Sequence, residues 1–411
     1  MKGDRRVVIT GLGALSCVGQ GKEGLWKGSL GQGGPGVVPI TRFDPSQFAC
    51  RIAGQIDDFD PTPYMDAQKA KRLDRFAQFS LASAQMAMED SGLDLNKMDR
   101  ERVGIYIGSA LGGIAFAEEQ HSAFMLRGIK AVKPTLAISV FGGASSCNIA
   151  IDLGIYGPNV ANANSCASGA IAVGEAARLI ARGEVDAMIA GAVEAPLSQL
   201  VFGAFSLIRA MSTRNDDPTT ASRPFDAKRD GFVMAEGAGV LILEDYEHAK
   251  ARGAHIYAEI LGYATTNDAF SMTSPRTDGA QSGRCMKMAL DDAHCATSEI
   301  GYVNAHGSST PLNDTYESLA IRNLMGSATV PVSSTKGAHA HALGASGAME
   351  LALCAQIFAK GILPPNLHTT EKAADCDVNA LLEPLSAKVD RILSNSFGFG
   401  GINACLVLGR V

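Results

Sequence analysis

Ala167-Ser168-Gly169-Ala170 and Ala345-Ser346-Gly347-Ala348 are two copies of one tetrapeptide in a chain of 411 residues. The offset between them also relates Ala181-Arg182-Gly183 to Ala359-Lys360-Gly361. Each copy joins a turn to a helical stretch of equal length, which ends at a glycine with a basic residue in its last turn. Because both ends of the stretch recur, we predict a chain built from two halves with the same order of elements.

The segments beside the repeated helix are also similar in the two halves. Residues 85–90 resemble residues 287–292, and each segment is followed by an apolar run. Each half then reads as strand, helix, strand, buried helix and strand, and short apolar runs of this kind are typical of central strands covered on both faces. The strands predicted from these runs are 103–107, 240–243, 300–303, 391–393 and 405–408.

The two halves are predicted as residues 1–255 and 256–411, with the boundary just after a helix at 247–252. No Pro-rich or low-complexity linker separates them, so we expect them to share one interface instead of hinging freely. The predicted fold class is α/β, in one duplicated body.

Composition excludes several classes of protein. Hydrophobic residues make up 46% of the chain and charged residues 19%, which favours a large buried core and excludes intrinsic disorder. The net charge of −6 repels phosphate backbones and anionic membranes, so we expect neither nucleic acid nor membrane as a partner. Nine cysteines without a CxxC pair indicate a reducing compartment, and we predict a soluble, cytoplasmic protein.

The first residues resemble a signal peptide, because basic residues precede an apolar stretch. Glycines interrupt that stretch and no small-residue cleavage site follows it, so we interpret it as a first strand. Gly11-Leu12-Gly13 within it lacks the third glycine and the acidic partner of a dinucleotide-binding loop, and NAD is not expected. No apolar run reaches the ~20 residues of a membrane span.

Cys166 is the cysteine that the pattern favours as a nucleophile. It precedes the helical stretch 170–181, so it lies at the turn where a helix begins. The helix dipole and the free amides at that end are expected to lower the thiol pKa from about 8.5 towards neutrality. The alternative for any single cysteine is a small buried thiol.

Two histidine segments, 303–311 and 333–344, lie where a strand is predicted to run out into a loop. Catalytic groups of α/β proteins commonly occupy this position. His306, His339 and His341 are the candidates, and each could also be an ordinary loop residue. His339 and His341 could form half of a metal site, but no further ligands follow at suitable spacing, so we predict no metal.

The glycine-rich segment 395–403 follows a predicted strand. It is either a tight turn or a loop whose backbone amides bind an oxyanion, with Phe399 closing a pocket.

The whole chain resembles the β-ketoacyl-acyl-carrier-protein synthases, most closely the synthase II type of bacterial fatty acid synthesis. The likeness is carried by Val7 to Gly13, by Ser212-Thr213-Arg214-Asn215, by Ser222-Arg223-Pro224-Phe225-Asp226, by Arg229-Asp230-Gly231-Phe232-Val233 and by the glycine-rich segment. The fold that this resemblance implies is a duplicated thiolase-like fold, layered αβαβα around two central mixed sheets. The internal repeat indicates the same duplication independently.

The resemblance implies a catalytic set of Cys166, His306, His341 and Lys336. Cys166 would accept an acyl group as a thioester, and the two neutral histidines would stabilise the charge released when malonyl-carrier protein loses carbon dioxide. The backbone N–H groups of Cys166 and Phe399 would form the oxyanion hole, and Phe399 would act as a gate. Lys336 would fix the charge and hydrogen bonding around His306, and Glu350 would be a carboxylate near the same site, with a helix-end charge as its alternative. Neither a metal nor a redox cofactor is implied, since the substrates are carried on phosphopantetheine.

The resemblance also assigns binding surfaces. The substrate residues would be Ser308, Thr310, Thr273, Leu111 and Phe232, with Leu111 limiting acyl length. Docking of the acidic acyl carrier protein needs a local basic patch on this acidic protein, for which Lys69, Lys71, Arg72 and Arg214 are the candidates, together with Arg75. A sheet edge paired across a two-fold axis would make the protein a homodimer, and a heterodimer with a paralogue is the alternative.

The chain departs from the family pattern at several positions. Lys336-Gly337-Ala338-His339-Ala340-His341 replaces the usual Lys-Ser-Met-Thr-Gly-His, and Ser165, Ala235 and Ser308 replace alanine, glycine and threonine. These departures leave two pathways open, fatty acid elongation and a dedicated polyketide or other secondary pathway. A non-catalytic chain-length partner subunit would lack Cys166. A thiolase would use coenzyme A and lack the lysine with paired histidines, and a decarboxylase that never condenses would replace the cysteine.

Overall fold

A computed structural model describes residues 3, 5–326 and 330–411 of the chain. Its strands are formed by apolar runs that end at glycine or at polar turns. The strands are β1 Val7–Ser16, β2 Gly19–Gln20, β3 Val38–Pro39, β4 Ile52–Ala53, β5 Val103–Gly108, β6 Asn159–Asn162, β7 Ala187–Glu194, β8 Gly237–Asp245, β9 Ala258–Asn267, β10 Tyr302–Asn304, β11 Pro331–Ser333, β12 Ile362–Leu363, β13 Asn379–Ala380, β14 Leu385–Ser386, β15 Arg391–Gly398 and β16 Ile402–Gly409. The helices are α1 Gly21–Ser29, α2 Ala67–Arg72, α3 Arg75–Ser91, α4 Ile114–Arg127, α5 Leu136–Ser139, α6 Ala144–Leu153, α7 Ser168–Ala181, α8 Gln199–Leu207, α9 Tyr246–Ala251, α10 Ala280–Asp292, α11 Pro311–Met325, α12 Lys336–His339 and α13 Ser346–Lys360.

The two halves repeat one strand order. In the first half the strands lie in the order β6-β5-β7-β8-β1, and in the second in the order β11-β10-β15-β16-β9. In each half the first two pairings are parallel and the last two are antiparallel. The predicted duplication is confirmed, since each half has the same five-stranded mixed sheet.

The two mixed sheets are joined along one edge. β1 pairs with β9 through two residue pairs, Val8 with Glu259 and Ile9 with Ala258, and this contact makes one continuous sheet. Helices α7 and α13 contact each other and pack between the two sheet halves, while α3 and α10 cover the outer faces. The fold is the layered α/β fold that the resemblance implies.

The glycines of the repeated tetrapeptide explain why the repeat exists. A Cβ atom at Gly169 would lie 2.7 Å from the Ala348 backbone nitrogen, and one at Gly347 would lie 3.0 Å from the Ala170 nitrogen. Each helix therefore needs a glycine where the other crosses it. The close contact between α7 and α13 therefore explains why the tetrapeptide is repeated.

Several predicted boundaries differ from the structure. The repeated helices begin at Ser168 and Ser346, and the first of these starts lies before the predicted start at 170. Strand β15 extends beyond the predicted 391–393 into the glycine-rich segment and ends at Gly398. Gly11 and Gly13 lie inside β1, where added Cβ atoms would overlap the carbonyl oxygens of Ala87 and Ser83 on α3. That glycine pair allows a helix to lie against the strand.

The predicted boundary near residue 255 falls between α9 and β9. The division into residues 1–255 and 256–411 stays a prediction. Among the described residues, no helix is both long enough and apolar enough to cross a membrane.

Candidate active site

Cys166 lies in a single 3-10 turn, Ser165–Ala167, directly before α7. Its side chain is buried and lines a cavity of about 320 Å³ together with His306, His341 and Phe399. The structure therefore brings the two predicted histidines and the gate residue to the predicted nucleophile, although they are distant in sequence.

The expected lowering of the Cys166 pKa is wrong. Burial raises the pKa of the thiol above its ordinary value, and the hydroxyl of Ser165, the charge of Lys336 and the N–H of Phe399 offset this effect only in part. The thiol is protonated in the resting protein, because a buried thiolate loses its solvation. Its proton must leave during the reaction, when substrate occupies the cavity.

The rings of His306 and His341 lie side by side. Their centroids are 5.2 Å apart and their planes are inclined by 79°. Burial, followed by the positive charge of Lys336, lowers the pKa of both imidazoles well below the ordinary value, so both are neutral at physiological pH. The Nδ1 atom of His341 lies 2.9 Å from the Ser346 hydroxyl, which leaves its Nε2 atom for a ligand.

Lys336 holds the backbone of His306 and does not line the cavity. Its ammonium donates to the His306 carbonyl at 2.6 Å and to Glu350 Oε1 at 2.5 Å, and both charged side chains are fully buried. On the other side Glu317 accepts the N–H groups of His306 and Gly307, both at 2.8 Å. Lys336 is thus a positioning residue, and Glu317 is a buried partner that sequence reasoning missed.

Glu194 is a second buried carboxylate that sequence reasoning missed. It ends β7 and accepts hydrogen bonds from the Ser109 hydroxyl at 2.5 Å, from the amides of Ala110 and Leu111, and from the Gly344 amide at 3.2 Å. Burial raises its pKa to about 7. It ties the loop after β5 to the turn that follows His341, so it couples the two halves beside the site.

Phe399 lies in the loop after β15, which Gly400 and Gly401 complete with φ values of 84° and 74°. Its ring stacks on Phe205 at 6.3 Å, and its N–H approaches the Cys166 sulfur closely enough to affect the thiol pKa. The same aromatic group includes Phe232, whose ring meets that of His341 at 5.4 Å. The position of Phe399 suits both predicted roles, gate and oxyanion donor.

Four of the five predicted substrate residues line the cavity: Phe232, Thr273, Ser308 and Thr310. The hydroxyls of Ser308 and Thr310 are 2.9 Å apart, and the Thr310 side chain also caps α11. Leu111 does not line this cavity. Its backbone is bound by Glu194, so its predicted effect on acyl length has no direct contact here.

Two family models match the chain, "Beta-ketoacyl synthase, N-terminal domain" over residues 4–249 and "Beta-ketoacyl synthase, C-terminal domain" over residues 257–370. The chain belongs to the β-ketoacyl synthase family.

Relatives match this synthase along almost all of its length. The chain is 42% identical to a 3-oxoacyl-[acyl-carrier-protein] synthase 2 of Vibrio harveyi, with 99% of each chain covered. It is 41% identical to the protein of that name from Staphylococcus aureus (strain COL), with 100% and 99% covered.

Solved structures agree with this relationship. A β-ketoacyl synthase from Burkholderia phymatum STM815 superposes with a TM-score of 0.91 at 32% identity, covering 99% of this chain and 100% of that one. A type II polyketide ketosynthase, in a complex with its acyl-carrier protein and bound to the hexaketide, superposes with a TM-score of 0.89 at 34% identity and the same coverage.

The predicted docking residues of the synthase differ in their availability. Lys71 and Arg72 are exposed and line a shallow cleft together with Lys133. Lys69 is paired with Asp152, and Arg75 binds the buried Glu236 at 2.6 Å and so belongs to the fold.

Arg214 and Arg209 are two further arginines of the synthase that differ in their availability for docking. Arg214 lies 3.7 Å from Asp217, in a half-buried loop. Arg209, which sequence reasoning missed, is exposed at the mouth of the catalytic cavity and also lines a neighbouring cavity of about 1020 Å³. No local pattern distinguishes Arg209 from other surface arginines.

His339 does not join the catalytic pair of the synthase. It is fully buried, and its Nε2 atom lies 2.9 Å from the Thr335 hydroxyl. Among the described residues, no group of three histidine, cysteine, aspartate or glutamate side chains could hold a metal ion.

Proposed function

We propose that this synthase condenses an acyl group held on Cys166 with malonyl-acyl-carrier protein and so elongates fatty acyl chains by two carbons. One observation carries the proposal: a buried thiol and two neutral imidazoles line one cavity, in a chain that matches 3-oxoacyl-[acyl-carrier-protein] synthases 2 along its full length. The enzyme is an acyltransferase.

Acylation transfers the acyl group to Cys166. The sulfur attacks the acyl thioester, the C–S bond to the carrier breaks, and the departing phosphopantetheine thiolate takes up the proton that the Cys166 thiol loses. The N–H groups of Cys166 and Phe399 would hold the tetrahedral oxyanion, and the loss of one such donor typically costs about 3 kcal/mol.

Condensation follows when malonyl-carrier protein enters the cavity. Neutral imidazoles donate hydrogen bonds to the malonyl thioester carbonyl, so the electron pair left by carbon dioxide is stabilised as an enolate. The enolate carbon attacks the Cys166 thioester, and the C–S bond breaks to return a thiolate that takes up a proton. Solvent supplies this proton, so the proposed condensation consumes one proton for each carbon dioxide released and needs no cofactor.

A dedicated polyketide pathway is the second candidate. A solved ketosynthase bound to a hexaketide superposes on the chain, and Ser165 and His339 depart from the pattern of the elongation enzymes. A non-catalytic partner subunit is disfavoured, because Cys166 is present and lies in the cavity with both histidines.

We also propose a cytoplasmic, homodimeric enzyme. All nine cysteines, each within the described part of the chain, are free, which supports a reducing compartment. Among the residues that the structure describes, strand β6 forms one end of the sheet and pairs with β5 alone, which leaves an edge that a second copy can cover.

The function is tested by intact mass spectrometry of the protein mixed with a panel of acyl-carrier proteins and then with malonyl-carrier protein. Cys166 is expected to take up saturated acyl chains and to release products two carbons longer, whereas Cys166→Ala takes up nothing. Loading by ketide-bearing chains alone, or from one dedicated carrier alone, would favour the polyketide pathway. No loading at all would overturn the proposal.

Docking of the carrier protein is tested by reversing charge at the two exposed positions. Lys71→Glu/Arg72→Glu is expected to raise KM for acyl-carrier protein several-fold at low salt and to leave kcat nearly unchanged, because rim charges act on encounter. The matched control is Lys97→Glu, a side chain that is 83% exposed and lies at the opposite end of α3. Equal effects of both variants would place the docking surface elsewhere.

A further inference from the structure

Ser165 is the residue directly before the nucleophile, and its side chain contacts the reacting atom. Its hydroxyl donates towards the Cys166 sulfur, with 3.7 Å between Oγ and Sγ. Alanine, which is common at this position in the resembling family, has no group that could make this contact.

The sulfur has few other polar neighbours. The N–H of Phe399 approaches it, and the charge of Lys336 acts on it from a distance, although the Lys336 ammonium is already bound to His306 and Glu350. Within the described residues, Ser165 is the side chain that donates a hydrogen bond to this sulfur. A hydrogen bond to a buried anion matters more than one at the surface, because little water can replace it.

The backbone holds the hydroxyl in place. Ser165 has a φ of 51°, a left-handed conformation that is uncommon for serine, and such conformations cluster at functional sites. Gly398 at the end of β15 lies against this turn, since a Cβ atom added there would lie 3.2 Å from the Cys166 nitrogen and 3.3 Å from the Ser165 Cβ. Ser168 donates to the Ser165 carbonyl at 2.7 Å and fixes the same turn.

We propose that Ser165 is a catalytic residue whose hydroxyl stabilises the Cys166 thiolate and thereby makes the buried thiol easier to deprotonate during acyl transfer. The hydroxyl keeps its own proton throughout, while the Cys166 proton passes to the departing carrier thiolate. The role rests on the proposed acyl transfer, but thiol reactivity can be measured without any acyl substrate.

The test is alkylation of the full-length protein by iodoacetamide from pH 7 to pH 11, followed by mass spectrometry of the Cys166 peptide. Ser165→Ala is expected to raise the pH midpoint of Cys166 alkylation and to slow the reaction about five-fold at pH 7.5, as loss of one hydrogen bond to a charged group implies. Ser165→Gly should give the same shift, because glycine adopts the left-handed conformation without strain. Glutathione added to each sample is the reference and should react at the same rate in the presence of each protein.

Ser168→Ala is the matched control, since it disturbs the same turn but retains the Ser165 hydroxyl. An unchanged Cys166 midpoint in this variant, with raised midpoints in Ser165→Ala and Ser165→Gly, supports the proposal. Unchanged midpoints in both Ser165 variants would overturn it. A raised midpoint in Ser165→Ala but not in Ser165→Gly would also overturn it, and so would a midpoint in Ser168→Ala that rises as much as in the Ser165 variants. Normal thiol titration with no acyl loading would instead contradict the proposed function.

Discussion

At the scale of single residues, burial decides the chemistry of this site. The same desolvation raises the pKa of the Cys166 thiol and lowers the pKa of both catalytic imidazoles, so all three groups are neutral at rest. None of the three catalytic groups therefore carries a permanent charge while the cavity awaits substrate. The Lys336 ammonium lies behind the His306 backbone and is paired with Glu350.

Removal of one partner of the Lys336–Glu350 pair should lower the free energy of unfolding far more than removal of both. Lys336→Met leaves Glu350 buried opposite no cation, and we expect the free energy of unfolding to fall by about 3–5 kcal/mol. Lys336→Met/Glu350→Leu should recover most of that loss in urea unfolding. Both variants should lose turnover, because the His306 carbonyl has lost its donor.

Lys69→Met provides the comparison at the surface. Its partner Asp152 is partly exposed, and exposed ion pairs contribute at most about 1 kcal/mol. If Lys336→Met lowered the free energy of unfolding no more than Lys69→Met does, the buried pair would not stabilise the fold.

At the scale of elements, turns from different parts of the chain build the site. The turn before α7 carries Cys166, the loop after β10 carries His306, and the turn before α13 carries His341. Glu194 at the end of β7 binds the loop after β5 and the turn before α13 with one carboxylate. One buried acid thus holds the turn that follows His341 against the loop after β5.

Glu194 should make stability depend on pH. Burial raises its pKa from 4.5 to about 7, so between these values the folded chain keeps a proton that the unfolded chain loses. The contribution of this group to the free energy of unfolding is present below pH 4.5 and falls, by about 3 kcal/mol in total, as pH rises to 7.

The measurement compares urea unfolding of the native protein and Glu194→Gln at pH 5, 6 and 7.5. The native protein should lose stability relative to the variant across this window, since glutamine does not titrate. Parallel pH profiles for the two proteins would show that Glu194 titrates near its ordinary value.

Sequence patterns predicted the elements better than their mutual contacts. The repeated tetrapeptide predicted the duplication because Gly169 and Gly347 allow α7 and α13 to cross closely. This steric requirement acts on single positions and is therefore visible as a short motif. Sequence motifs were sufficient to predict the catalytic candidates Cys166, His306, Lys336 and His341. Glu317 and Glu194 escaped detection because their donors lie on other elements, and the direction of the Cys166 pKa was wrong because burial comes from the whole fold.

At the scale of the whole molecule, the two ends of the sheet differ. The end formed by β13 is a two-residue strand, whereas the end formed by β6 has four residues. The connection between β5 and β6 also bears nine exposed large apolar side chains: Phe124, Met125, Leu126, Ile129, Ile138, Val140, Phe141, Ile151 and Tyr156. Apolar side chains exposed in such number beside an open strand indicate a surface for association.

A charge placed on that surface should separate a dimer into monomers. Ile151 on α6 is 79% exposed, so Ile151→Lys costs the folded chain little, whereas an interface that covers it would have to bury an unpaired ammonium. Light scattering during gel filtration should give twice 42.8 kDa for the native protein and a mass shifted towards 42.8 kDa for the variant. Leu382→Lys, an exposed leucine just after β13 at the other end of the sheet, should leave the dimer intact. A native mass of 42.8 kDa would contradict the homodimer, and dissociation by Leu382→Lys alone would move the interface to the β13 end, because only the covered edge can be sensitive to an added charge.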